Sequence, residues 1–171
     1  MESIPYDKRS GKIWFNGKTV DWKDANIHIL NHGLHYASCV FEGERVYDGE
    51  IFKLEDHTER LFYSAKRMGI KVPYTQKEIN DACKNIVNIQ KVQNGYVRPL
   101  IWRGSEMMAI SAQKNKIHVA IATWEWGSYF DPKLKLNGIK LNISSWRRPA
   151  PNTIPWDTKA AGLYMICTLS K

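Results

Sequence analysis

No stretch of this sequence approaches the run of about 18 apolar residues that a membrane span requires. The amino terminus, Met1-Glu2-Ser3-Ile4-Pro5-Tyr6-Asp7-Lys8-Arg9, lacks the apolar core of a secretory signal, so cytoplasmic residence is the expectation. Cysteine is scarce. Cys39, Cys83 and Cys167 are odd in number, widely spaced and form no CxxC pair, which argues against a disulfide framework and fits small thiols in a reducing compartment. Internal repeats and low-complexity tracts are missing too, as is a dense basic face. The formal charge is +8, but the signs interleave: Lys53 with Glu55, Glu59 with Arg60, Lys77 with Glu78. That pattern speaks against nucleic acid and leaves a non-catalytic basic binding module as an alternative, recognisable by a steep salt dependence. His28 and His32 have i,i+4 spacing and His35 follows, yet no cysteine or carboxylate stands at a useful short distance and Asn31-His32-Gly33 reads as a turn. No metal site is expected.

What the chain does contain is apolar and aromatic material, 43 % and 12 % of 171 residues, enough for a packed core. Lys12 to Val20 reads as a hairpin around Asn16-Gly17, the favoured pair for a type I′ turn. A second hairpin is predicted across Asp48-Gly49, pairing Val40–Tyr47 with Glu50–Lys53. Leu30–Tyr36 is too short and polar for a core element. Leu54–Met68 fits an amphipathic helix closed by Gly69, and the capping box Thr75-Gln76-Lys77-Glu78 opens a second. Tyr96–Trp102 and Ile117–Trp126 read as strands, with Pro99 expected at an edge or a bulge. Asp131–Gly138 is the linker candidate. This predicts an α+β domain over 1–130, an interdomain linker over 131–138, and over 139–171 a strand (Lys140–Trp146), a loop and an apolar segment (Leu163–Leu169), too little to bury their own apolar face.

The loop is the most informative part. Pro149, Pro151 and Pro155 restrict the approach to Lys159, and Ala160-Ala161-Gly162 leave room beside it. A fixed approach and space for a carbonyl partner are what a Schiff-base lysine needs, although most lysines are solvated charges. Arg60, inside the first helix, is either an exposed arginine paired with an acid or an anion clamp. Tyr96 and Arg98 share one strand face, suited to a carboxylate or to solvent. Trp124-Glu125-Trp126-Gly127-Ser128-Tyr129 is core, interface or pocket wall.

Together these residues resemble the branched-chain aminotransferases, pyridoxal-phosphate enzymes of the D-amino-acid aminotransferase-like fold. The matching segments are Ile13-Trp14-Phe15-Asn16-Gly17, His32-Gly33-Leu34-His35-Tyr36, Val40-Phe41-Glu42-Gly43, Tyr96-Val97-Arg98-Pro99-Leu100, Trp126-Gly127-Ser128-Tyr129 and Ala150-Pro151-Asn152-Thr153-Ile154-Pro155 running into Lys159. The resemblance implies the family's small domain, an antiparallel sheet with two flanking helices, followed by the start of a truncated large domain. It implies that Lys159 bonds pyridoxal phosphate and shuttles the substrate's proton, that Arg60 binds the cofactor phosphate, and that Tyr164 lies beside the phenolic oxygen. Phe41, Trp126 and Tyr129 correspond to the apolar side-chain pocket, with Tyr36 reaching in from a partner subunit of a homo-oligomer, a homodimer or higher. Tyr96 corresponds to the donor to the substrate carboxylate, Arg98 to the residue that receives the distal carboxylate of glutamate, and Arg45 lies near the pocket mouth.

The implied reaction transfers the amino group of leucine, isoleucine or valine to 2-oxoglutarate. A D-amino-acid aminotransferase or an aminodeoxychorismate lyase is the alternative within the fold. Two positions depart from the pattern: Leu163 replaces a small polar residue, and Glu44 stands where an apolar one is usual. Family members also carry a second domain beyond the lysine, with the acidic partner of the pyridine nitrogen. The polypeptide alone is therefore expected to be inactive or nearly so.

Overall fold

Short alternating segments build the sheet. Lys12–Phe15 (β1) and Lys18–Asp21 (β2) form the expected hairpin, with Asn16 and Gly17 at φ 50° and 86°, the positive values a type I′ turn demands. The computed structural model describes residues 4–127 and 136–171. Among them the strands form one seven-stranded sheet in the order β2-β1-β7-β6-β4-β5, with β3 also paired to β6. Here β3 is Cys39–Phe41, β4 Glu44–Tyr47, β5 Glu50–Ile51, β6 Gly95–Arg103 and β7 Ile117–Glu125. The turn Asp48-Gly49 joins β4 to β5 as predicted, at φ 50° and 83°.

One predicted strand is divided. Phe41 lies opposite Leu100 and Glu44 opposite Val97, so β3 and β4 keep one register across Glu42-Gly43 and only the ladder is interrupted. Pro99 is the reason. The Glu42 N–H donates to the Pro99 carbonyl at 2.9 Å, but proline has no N–H to return. Pro99 therefore corrects the sequence expectation: it stands at neither edge nor bulge, but in mid-strand of β6, with β7 on one side and the break on the other.

The helix side of the sheet carries the core. Leu54–Arg67 (α2) and Gln76–Gln90 (α3) bury Leu61, Ala65, Ile79, Cys83 and Ile86 against Val40, Val46, Val97, Ile101, Val119 and Ile121. Each leucine, isoleucine or valine among them contributes about 1.5–3 kcal/mol relative to exposure. The capping box is present: Thr75 Oγ1 accepts from the Glu78 N–H at 3.2 Å and Glu78 Oε2 from the Thr75 N–H at 2.7 Å. The side chains alternate across the sheet, so Phe41, Arg45, Tyr96 and Arg98 fall on the face opposite the helices.

Elsewhere the polar stretch after Leu30 forms a short helix, His32–Tyr36 (α1). Leu34 is exposed, but Asn31 and His32 are buried. The predicted strand Lys140–Trp146 does not form. Among the described residues it has no strand to pair with, and Leu141 and Ile143 stay 86 % and 84 % exposed. The predicted linker Asp131–Gly138 lies mostly outside the described residues. The chain returns to the sheet at an isolated bridge between Val40 and Ala160, then turns through a 3-10 segment, Ala161–Tyr164, into Met165–Leu169 (α4).

Candidate active site

Lys159 is held by its backbone first. Its N–H donates to the hydroxyl of buried Ser64 on α2 at 3.1 Å, and its carbonyl accepts the Phe41 N–H from β3 at 3.1 Å. The partly buried side chain passes over Phe41, with Nζ 5.0 Å from that ring's centroid, and donates to the Tyr164 hydroxyl at 2.8 Å. The Phe41 and Tyr164 rings meet at 4.8 Å. Leu163, the departure noted above, is buried in the core and anchors the turn from which Tyr164 faces the lysine. A Cβ on Gly162 would lie 3.2 Å from Ala37 Cβ. The glycine thus lets this turn pack closely against the Ala37 side chain.

Arg60 is not a free cation. Its Nε and Nη2 donate to Glu42 at 2.6 and 2.8 Å, and the His57 Nδ1–H donates to the same carboxylate at 2.9 Å. Glu42 is fully buried. Burial alone would raise its pKa, but the hydrogen bonds from Arg60 and His57 outweigh it, and the carboxyl is held at about 2. Arg60 keeps half its side chain exposed, which leaves one edge of the guanidinium open to solvent. Two residues on, Glu44 is equally buried but, among the described residues, has no hydrogen-bond partner on either oxygen. Burial, with the Glu42 charge added, pushes it up to about 8.

A second group gathers beside Phe41, on the face opposite the helices. Arg98 Nη2 donates to the Tyr96 hydroxyl at 3.1 Å, and its guanidinium lies 4.5 Å from the centroid of Phe41. Tyr96 meets Trp126 edge-on at 4.9 Å, and Arg45 Nη1 donates to the Trp126 carbonyl at 2.9 Å. Gly43 makes this possible: a Cβ there would stand 1.7 Å from the Tyr96 oxygen. Beside the group lies an apolar cavity of about 410 Å³, lined by Phe15, Leu34, Leu100 and Ala161, in which Arg98 is the charged residue.

Lys159, Tyr164, Phe41, Arg98, Tyr96, Trp126 and Arg45 thus form one chain of contacts, with Arg60 beside it through Glu42. Tyr36 is elsewhere, stacked on His32 and donating to the Met108 carbonyl at 3.0 Å. Tyr129 lies outside the described residues. Both ring nitrogens of His32 are engaged, by Ser38 Oγ and the Ala109 carbonyl, and the described residues hold no cluster of three potential metal ligands. Sequence reasoning missed Glu42, His57 and Ser64. The spacing His57, Arg60, Ser64 on one helix face was the available signal for two of them.

A lysine seated between a β-strand and a helix, with a tyrosine on its amine and arginines on either side, defines a class. Residues 39–169 match the family model for amino-transferase class IV, and the chain belongs to that family. Its relatives are more particular. It is 42 % identical to the branched-chain-amino-acid aminotransferase of Pseudomonas aeruginosa over 95 % of the chain and 54 % of that protein. To the Escherichia coli K12 enzyme of the same name it is 38 % identical over 95 % and 54 %. The T.th. branched-chain amino acid aminotransferase with pyridoxamine 5'-phosphate superposes with a TM-score of 0.90 at 34 % identity, over 95 % of this chain and 55 % of that one. The same enzyme complexed with N-(5'-phosphopyridoxyl)-L-glutamate gives 0.84 at 33 %, over 95 % and 53 %. The chain spans about half the length of the curated relatives it matches.

Proposed function

We propose that this chain is the amino-terminal portion of a branched-chain amino-acid aminotransferase that uses pyridoxal phosphate. The observation that carries the reading is the Lys159 amine on the Tyr164 hydroxyl at 2.8 Å over the face of Phe41. The residues fit one side of such a cofactor: a primary amine on a fixed backbone, a phenol beside it, and a guanidinium whose open edge suits a phosphate. When bound, the cofactor supplies an electron-accepting ring that acidifies the substrate's α-proton.

The chain's own residues supply one part of what the reaction needs beyond the cofactor. Lys159 Nζ holds and moves that proton, and the Tyr164 hydroxyl orients the amine. Tyr96 and Arg98 bind carboxylate: the α-carboxylate at the hydroxyl, the distal carboxylate of glutamate or 2-oxoglutarate at the guanidinium. Phe41 and Trp126 form the wall against which a leucine, isoleucine or valine side chain packs, and the resemblance assigns Tyr129 to the same pocket. The named relatives favour this reading over a D-amino-acid aminotransferase. A homodimer in the cytoplasm, serving amino-acid biosynthesis with Tyr36 reaching a neighbouring site, completes the proposal.

The test is borohydride fixation of pyridoxal phosphate followed by peptide mapping. Label on Lys159, lost in Lys159→Ala without appearing at another lysine, is the expected result. Label spread over surface lysines, unchanged in Lys159→Ala, would overturn the reading.

A further inference from the structure

One stripe of α2 is given over to the loop that carries Lys159. Residues 63, 64 and 67 follow helical spacing and meet the loop from one side, while Arg60, one turn earlier, faces the strand segment after Phe41 instead. Arg60 meets Glu42. The Tyr63 hydroxyl donates to Asp157, and Arg67 Nε lies 3.5 Å from the same carboxylate. Between them Ser64, wholly buried, accepts the Lys159 N–H. The hydrogen bond from Tyr63 and the charge of Arg67 keep the Asp157 carboxyl below its ordinary range, so it is ionised at neutral pH and complements the guanidinium.

Arg148 Nη2 closes the far side of the loop on the Trp156 carbonyl at 2.8 Å. A lysine side chain is long and flexible, and its amine can be aimed only if the backbone beneath it is still. Phe41 and Ser64 grip the Lys159 peptide itself. Two residues earlier, the Asp157 side chain ties the loop to the helix through Tyr63 and Arg67.

We propose that Asp157, gripped by Tyr63 and Arg67, is a positioning residue for Lys159, with α2 as the rail on which the loop is seated. The inference rests on the reading of Lys159 as the cofactor-bonding amine. Its test uses the complete 171-residue chain and begins without ligand, by hydrogen exchange at the Lys159 amide. Asp157→Ala is expected to speed that exchange at least about tenfold, and Tyr63→Phe by less. The double variant should exceed Asp157→Ala by little, because both changes remove the same contact.

With pyridoxal phosphate and borohydride, the share of label on Lys159 relative to the other lysines should fall at least about threefold in Asp157→Ala. Unchanged exchange in Asp157→Ala overturns the inference. So does equal acceleration at amides of β6, which would mark a general loosening of the fold. Label absent from wild-type Lys159, with exchange still responding to Asp157→Ala, keeps the rail and removes the cofactor reading. Label on Lys159 in both proteins with exchange unchanged does the reverse.

Discussion

Glu42 and Glu44 lie two residues apart, both sealed from solvent, and their surroundings drive them in opposite directions. Glu42, held at about 2 against an ordinary 4.5, contributes stability that is present above pH 4.5 and lost as the pH falls through about 2. Glu44 has the reverse sign. The unfolded chain ionises it above about 4.5 while the folded protein keeps the proton to about 8, so stability falls as the pH rises between those values and is flat beyond. Glu44→Met, which fills the site with an unbranched apolar chain, is predicted to remove that slope and to stabilise the protein by about 2–4 kcal/mol at pH 8, with little effect near pH 4.5. Urea midpoints at the two pH values check it. The sequence marked Glu44 as out of place but carried no sign of its neighbour's role. Whether a carboxylate is buried alone or buried among donors depends on His57 and Arg60, which approach from another element.

At the scale of elements, legibility followed the strength of local rules. The type I′ turns and both long helices were readable because glycine placement, a capping box and a 3.6-residue period are local signals. Replacing the cap, Thr75→Ala, should lower stability by about 1 kcal/mol, measured as a shift of the thermal midpoint. The division of β3 from β4 was not readable from either strand, since its cause, Pro99, lies on a third. Lys140–Trp146 failed for a related reason: a strand forms only where another strand lies beside it to take its backbone hydrogen bonds. The candidate site's residue types stood out in the sequence because motifs carried them. The rail on α2 was not, because Tyr63, Ser64 and Arg67 acquire meaning only when the distant loop is laid against them.

For the whole molecule, the distribution of apolar surface is uneven. One side of the sheet is packed by α2 and α3. The carboxy-terminal residues leave Leu141 and Ile143 almost fully exposed and Met165 63 % exposed. Large apolar side chains in water favour association. Sedimentation velocity of the 171-residue chain is expected to show concentration-dependent self-association, reduced in a Leu141→Ser/Ile143→Ser variant. An unchanged monomer at high concentration would contradict this. The net charge of +8 opposes association at low salt, so the effect should grow as salt is added.

The unbroken register from Cys39 to Val46 sets one more condition. Val40 points into the core, Phe41 carries its ring under the Lys159 amine, and Glu42 reaches Arg60. Three consecutive residues thus serve three different neighbours, and a strand reverses face at every step. A single residue inserted or deleted there would send an aromatic ring into the core and a carboxylate toward the lysine. The Asp48-Gly49 turn, a few positions on, has no such duty. Length variation in this chain is therefore tolerable at that turn and forbidden a half-dozen residues before it.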